Sequence, residues 1–271
     1  MIGQAKLLQR LNRYTIDSLP RTLLFEGEKG CGKHLFANYI SVKLTTPIID
    51  MTNDINNEFI ENTYTNVFTT IYLIDSSVIT EKQQNTLLKF LEEPPMTARI
   101  ILLTEDKNFL LPTIVNRCLC LKFDNYSTDE LKIFAQSTFG HIDENKLQIM
   151  LNVARTPGKL ISLNSSNLED TFKLCDMIPD KINLASLPNT LSIANRLNYK
   201  DDYSKVDVDV FLKLLNNRIL EKYKVNKQDK YIKMYNIIQD SIVKLRKDLR
   251  LNKQDLIENL LCKLWEIDWC R

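Results

Sequence analysis

Histidine is scarce in this chain of 271 residues. Of the two, His34 lies in a glycine-rich loop and His141 follows Gly140 in a loop between helical segments, so neither a histidine metal pair nor a His-based nucleophile system has support. The six cysteines are scattered, with only Cys118 and Cys120 close together and no C-x-x-C pair, which argues against a disulfide framework or a zinc site and leaves buried free thiols as the expectation. No run approaches the roughly 18 apolar residues of a membrane span, and the N-terminus lacks the basic-then-apolar layout of a signal peptide, so the cytoplasm is expected. Charge is nearly balanced, 36 Lys and Arg against 34 Asp and Glu, and gives no global attraction to nucleic acid or membrane. Any DNA contact must be local. Glycine is the telling shortage: there are only six, and Gly27, Gly30 and Gly32 crowd into one short stretch.

With 44% hydrophobic and 26% charged residues the chain is an ordinary globular sequence of about two domains. Its first part alternates strand and helix signals. TLLFE, Thr22–Glu26, is a short apolar run closed by Gly27, and 33–42 then places Leu35, Phe36, Tyr39 and Ile40 at helical spacing. Buried strands are expected at 69–74, ending at Asp75, and at 99–103, ending at Thr104. Between them Thr80 and Gln83 have capping-box spacing, Leu87, Leu88 and Leu91 form an apolar stripe, and Pro94-Pro95 stops the helix after Glu93. This order implies a parallel sheet covered on both faces. Beyond about residue 123 the strand signals fade. Ser127 and Glu130 offer a second capping box, a helical run over 146–154 ends before Thr156-Pro157-Gly158, and the rest reads as helical, with Pro179 and Pro188 punctuating its start. Later stripes are Phe211, Leu214, Leu215 and Ile219, then Ile257, Leu260, Leu261 and Leu264.

The stretch GEKGCGKH, 27–34, has the spacing of a phosphate-binding loop, Gly, four residues, Gly, Lys, usually completed by Ser or Thr. A preceding strand and a following helix would aim the loop N–H groups and the helix N-terminus at one anion. Gly27, Gly30, Gly32 and Lys33 are therefore candidate nucleotide contacts. His34 stands where the magnesium-holding hydroxyl belongs, and imidazole is a poor replacement for a hard oxygen ligand. Asp75 follows four apolar residues, as a magnesium-supporting Asp does, but Ser76 and Ser77 come next in place of a water-activating Glu. Both departures point to little or no hydrolysis.

The run NTLLKFLEEPP, 85–95, followed by RIILLTEDKNFLLPTIVNRC, 99–118, resembles the AAA+ clamp-loader family of bacterial DNA polymerase III, as do Ile2-Gly3-Gln4 and Leu19-Pro20-Arg21. The likeness is strong over 1–123 and thin beyond. The degenerate ATP motifs and the tail LRLNKQDLIENLLCKLWEI, 249–267, are most similar to the delta-prime type of subunit. The resemblance implies a RecA-like AAA+ α/β domain over 1–123, a small helical lid over 124–168 and an all-helical collar over 169–271 that joins a five-subunit ring with gamma or tau and delta subunits. That ring would load the sliding clamp on primed DNA.

Residue by residue, the resemblance makes Arg117 of Asn116-Arg117-Cys118 an arginine finger acting in trans on a neighbour's ATP site, a role suited to an always-charged guanidinium. Thr104 matches the first sensor, the alternative being a strand-end hydroxyl that caps a turn. Lys159 falls where ATP-hydrolysing relatives have a second-sensor arginine. The four-cysteine zinc module of many relatives is missing between His34 and Asp75, so no metal is expected. The implied state is a subunit that hydrolyses little or nothing, with ATP or ADP bound without turnover left open. Two rivals remain. One is an active loader ATPase; the other is a P-loop small-molecule kinase, which would need a substrate pocket and phosphate-gripping arginines. A basic run, KLRKDLRLNK at 244–253, reads as a solvated helix face before it reads as a DNA contact.

Overall fold

A computed structural model describes residues 2–164, 168–182, 186–198, 206–247 and 252–267. By its packing the chain forms two compact units, the first comprising 1–134 and 155–159, the second 135–154 and 160–271.

The first unit opens with α1 (Ala5–Asn12), β1 (Thr22–Glu26) and α2 (Lys33–Leu44). It continues through β2 (Ile48–Asp50), α3 (Asn57–Tyr64), β3 (Thr70–Asp75), α4 (Glu81–Glu92), β4 (Ala98–Thr104), the short α5 (Pro112–Val115) and β5 (Leu119–Lys122). The strands form one parallel sheet in the order β2-β3-β4-β1-β5. Three of them are the strands expected from apolar runs. β2 and β5 are additional; both lie at sheet edges where most residues stay accessible, and at three and four residues they are too short to stand out as strands.

Period-two geometry divides the strand side chains between two cores. Leu23, Phe25, Ile71, Leu73, Ile101 and Leu103 pack on one face with Leu7, Leu11, Phe36 and Ile40 from α1 and α2. Leu24, Tyr72, Ile74, Ile100 and Leu102 pack on the other with Leu87, Phe90 and Leu91 of α4. Every residue of β4 is buried, as a central parallel strand requires. Leu35, by contrast, is 65% exposed: α2 turns Phe36, Ala37 and Ile40 to the sheet, and the expected stripe loses its first member.

Helix boundaries follow their local chemistry. Thr80 and Gln83 form the reciprocal capping box that starts α4, and Glu93 ends it before Pro94. Ser127 and Glu130 exchange the same pair of bonds at the start of α6 (Thr128–Phe139).

Next come α7 (Glu144–Val153), α8 (Pro157–Asn164), α9 (Leu168–Lys181), α10 (Leu187–Leu191), β6 (Leu197–Asn198), β7 (Val206–Asp207), α11 (Val208–Asn226), α12 (Asp229–Lys247) and α13 (Lys253–Glu266). Two expectations change here. Pro179 sits inside α9, third from its end, where it offers no N–H to Cys175 O, yet the helix runs on to Lys181 and is held along α11 by Arg218 on Asp176, Lys222 on Asp180 and the Cys175 thiol on Phe211 O. The C-terminal part is also not wholly helical, since β6 and β7 pair in parallel over two residues each. The helical stripes hold: Phe211, Leu214, Leu215, Ile219, Ile257, Leu260, Leu261 and Leu264 are all buried. Cys31 and Cys175 are buried thiols, while Cys118, Cys120 and Cys262 are partly covered. Cys270 and positions 248–251 of the basic run lie outside the described residues.

Candidate functional site

β1 ends at Glu26 and the chain turns through Gly27–Gly32 into α2, at the carboxyl edge of the parallel sheet where such folds place ligands. Gly30 and Gly32 adopt φ of 81° and 103°, the left-handed region open to glycine at no steric cost. The N-cap Gly32 supplies no side-chain cap to the first-turn N–H groups of α2.

The loop carbonyls are tied from several sides. Lys33 is buried, and its ammonium donates to Gly27 O and, at 3.2 Å, to Glu28 O. The Thr156 hydroxyl donates to Lys29 O at 2.9 Å, Gly158 N–H to Gly30 O at 3.0 Å and the Tyr126 hydroxyl to Cys31 O at 2.8 Å. The segment carrying Tyr126 is anchored in turn, because the Gln4 amide exchanges two bonds with the backbone of Asp124. Gly3 lies so close that a Cβ on it would be 2.5 Å from the Tyr126 ring. Burial pushes the Tyr126 phenol up to about 12, so it stays a donor across the physiological range.

His34 Nε2 stands 3.7 Å from Asp75 Oδ2. Burial raises the Asp75 carboxyl, but bonds from Ser77 together with the nearby His34 and Lys33 charges outweigh it, and the net shift is downward. Mg²⁺ needs hard oxygen ligands, and here an imidazole faces the carboxylate that would support it. The residues present do not fit a magnesium site. Ser76 is buried with no hydrogen-bond partner for its hydroxyl. Thr104 is also buried, and its hydroxyl donates to Asp106 O at 2.9 Å across the turn, while its carbonyl accepts from Gly27 N–H.

Gly27, Gly30, Gly32, Lys33, Asp75 and Thr104 thus gather at one edge of the sheet. Arg117 is elsewhere. It precedes β5, and its carbonyl accepts from the hydroxyl of Thr22 at the start of β1, so it lies at the opposite, amino edge. Its guanidinium donates to Thr113 O at 2.7 Å and to Glu92. Tyr126, Thr156 and Glu92 were not legible as site residues, because each acts on a group 25 to 127 positions away. Among the described residues no three His, Cys, Asp or Glu side chains converge, and no helix is long and apolar enough to cross a membrane.

Residues 46–127 match the family described as DNA polymerase III, delta subunit. The chain is 26% identical over 235 residues to the DNA polymerase III subunit gamma/tau of Mycoplasma genitalium and 24% identical over 239 residues to the subunit gamma of Buchnera aphidicola. Each match covers 72% of this chain but only 38% and 63% of those relatives. A solved DNA polymerase III gamma subunit-related protein from Thermotoga maritima aligns over 97% of this chain and 99% of its own, at 17% identity and a TM-score of 0.48.

Proposed function

We propose that this chain, a member of the AAA+ clamp-loader family of DNA polymerase III, is a delta-prime-like subunit that hydrolyses little or no ATP itself and completes a neighbour's active site with Arg117. One observation carries this reading. Arg117 and the chain's own loop lie at opposite edges of the sheet, separated by the five residues of β1, about 16 Å of strand. A partly exposed guanidinium so placed serves no chemistry at its own Lys33 and is available to a second subunit.

The loop supports the same view from the other side. His34 against Asp75 leaves no hydroxyl for magnesium, Ser76 stands where a general base would be, and loss of such a base costs on the order of 10² to 10⁴ in rate. The proposed organisation is an AAA+ domain over 1–123, a lid over 124–168 and a collar over 169–271, assembling with gamma or tau and delta subunits to load a sliding clamp on primed DNA. A gamma-like active ATPase is the second reading, favoured by the gamma/tau relatives. Mg-ATP turnover by the isolated chain would select it.

The test is the clamp- and DNA-stimulated ATPase of the complex reconstituted with gamma- and delta-type subunits of the same source, with assembly followed by gel filtration. Arg117→Ala should assemble normally and lower the rate about a thousandfold. An unchanged rate removes the finger.

A further inference from the structure

We infer that Glu92 is a positioning residue that pre-sets the guanidinium of Arg117 for a neighbouring subunit, an inference that rests on the trans-finger reading above. α4 ends at Glu92 because Glu93 leaves helical geometry ahead of Pro94, and this stop places the Glu92 carboxylate beside the segment that follows α5. The stretch leading into α5 is fastened to α4 further up, where Gln84 Nε2 donates to Phe109 O at 3.3 Å and Leu111 N–H donates to Gln84 Oε1 at 2.9 Å. Behind Arg117 the backbone is held too. Its N–H donates to Ile114 O at 3.0 Å, and its carbonyl accepts from Thr22.

The side chain is then the last free element, and two contacts restrain it: one terminal nitrogen on Thr113 O, the other on the Glu92 carboxylate. A guanidinium has five N–H donors in a rigid fork, so these contacts leave donors for an incoming anion. A lone arginine samples many rotamers, and ordering it at the moment of reaction would cost entropy that a fixed partner removes beforehand. Exposure sets the balance. The two side chains are 33% and 49% exposed, so the pair is screened and weak, too weak to compete with a multiply charged phosphate for the fork. Orientation is what remains.

The experiment compares Glu92→Ala, Glu92→Gln, Arg117→Ala and the Glu92→Ala/Arg117→Ala double variant in the reconstituted complex, measuring stimulated kcat, KM for ATP and assembly. Glu92→Ala should lower kcat about tenfold at unchanged KM. Glu92→Gln, which keeps an acceptor oxygen, should retain most of the rate, and the double variant should be no slower than Arg117→Ala. A merely structural role would instead lower the melting temperature of the isolated chain and add its loss to that of Arg117→Ala. An unchanged rate or an additive loss in the double variant overturns the assignment, and a raised rate would make Glu92 a latch instead. If Arg117→Ala slows the complex while Glu92→Ala does not, the finger stands and only the Glu92 role falls; if Arg117→Ala changes nothing, both fall.

Discussion

Gly158 sits directly against Gly30: its N–H donates to Gly30 O at 3.0 Å, and a Cβ added to it would lie 2.5 Å from Gly30 Cα. The contact lies between two backbones, so no flexible side chain can give way. Gly158→Ala should force the loop and the start of α8 apart, destabilising the first unit by about 1–3 kcal/mol. The urea midpoint monitors this, and an unchanged midpoint would mean the loop yields freely.

His34 and Asp75 define a second prediction. His34→Ser restores the hydroxyl that a phosphate loop uses for magnesium and frees Asp75 from the imidazole. Mg-ATP affinity in titration calorimetry should rise at least about tenfold, roughly 1.4 kcal/mol. Turnover should stay undetectable, because Ser76 still replaces the general base. Equal affinities for the two proteins would show that His34 is not what limits the loop.

Acid stability should depend on Asp180. The Lys222 ammonium bonded to its carboxylate holds it below the ordinary range, burial opposes this, and the Tyr231 hydroxyl at 3.1 Å adds to the depression. A depressed carboxyl contributes stability that is fully present above its unfolded value, near 3.9, and is lost as pH falls through the folded value. Urea midpoints at pH 6, 4 and 3 should therefore fall more steeply for the natural chain than for Asp180→Asn. Parallel curves would remove Asp180 from the acid response.

Thiol reactivity offers a check on the packing within each unit. Burial raises Cys31 and Cys175 and pushes Cys118 up to about 12, so little reactive thiolate exists near neutrality. Iodoacetamide at pH 8 followed by mass mapping should label these three in urea and spare them in the native protein. Rapid native labelling of Cys175 would contradict the packing of α9 on α11.

Local signals were strong where burial was complete. The β1, β3 and β4 runs, the Thr80 and Ser127 capping boxes and the GEKGCGKH spacing were all legible, because hydrophobic runs, caps and glycine turns depend on residues a few positions apart. The edge strands β2 and β5 were not, since three and four residues are too short to stand out as strands. Leu35 and Pro179 misled for another reason: spacing says that a helix has an apolar face, while the sheet and α11 decide which residues occupy it and what a proline there costs.

The loop's residue types, and with them the missing hydroxyl at His34, were written in the order of amino acids alone. Its bracing was not. Thr156 and Gly158 reach the loop across more than 120 positions, and Arg117 finds Glu92 across 25. Only a parallel sheet with helices packed on both faces brings such residues within hydrogen-bonding distance, and only that sheet puts Arg117 at the edge opposite Lys33. Hydrogen bonds are short-ranged and directional, so which groups meet is a property of the folded chain, while the kinds of group available to meet are a property of the sequence.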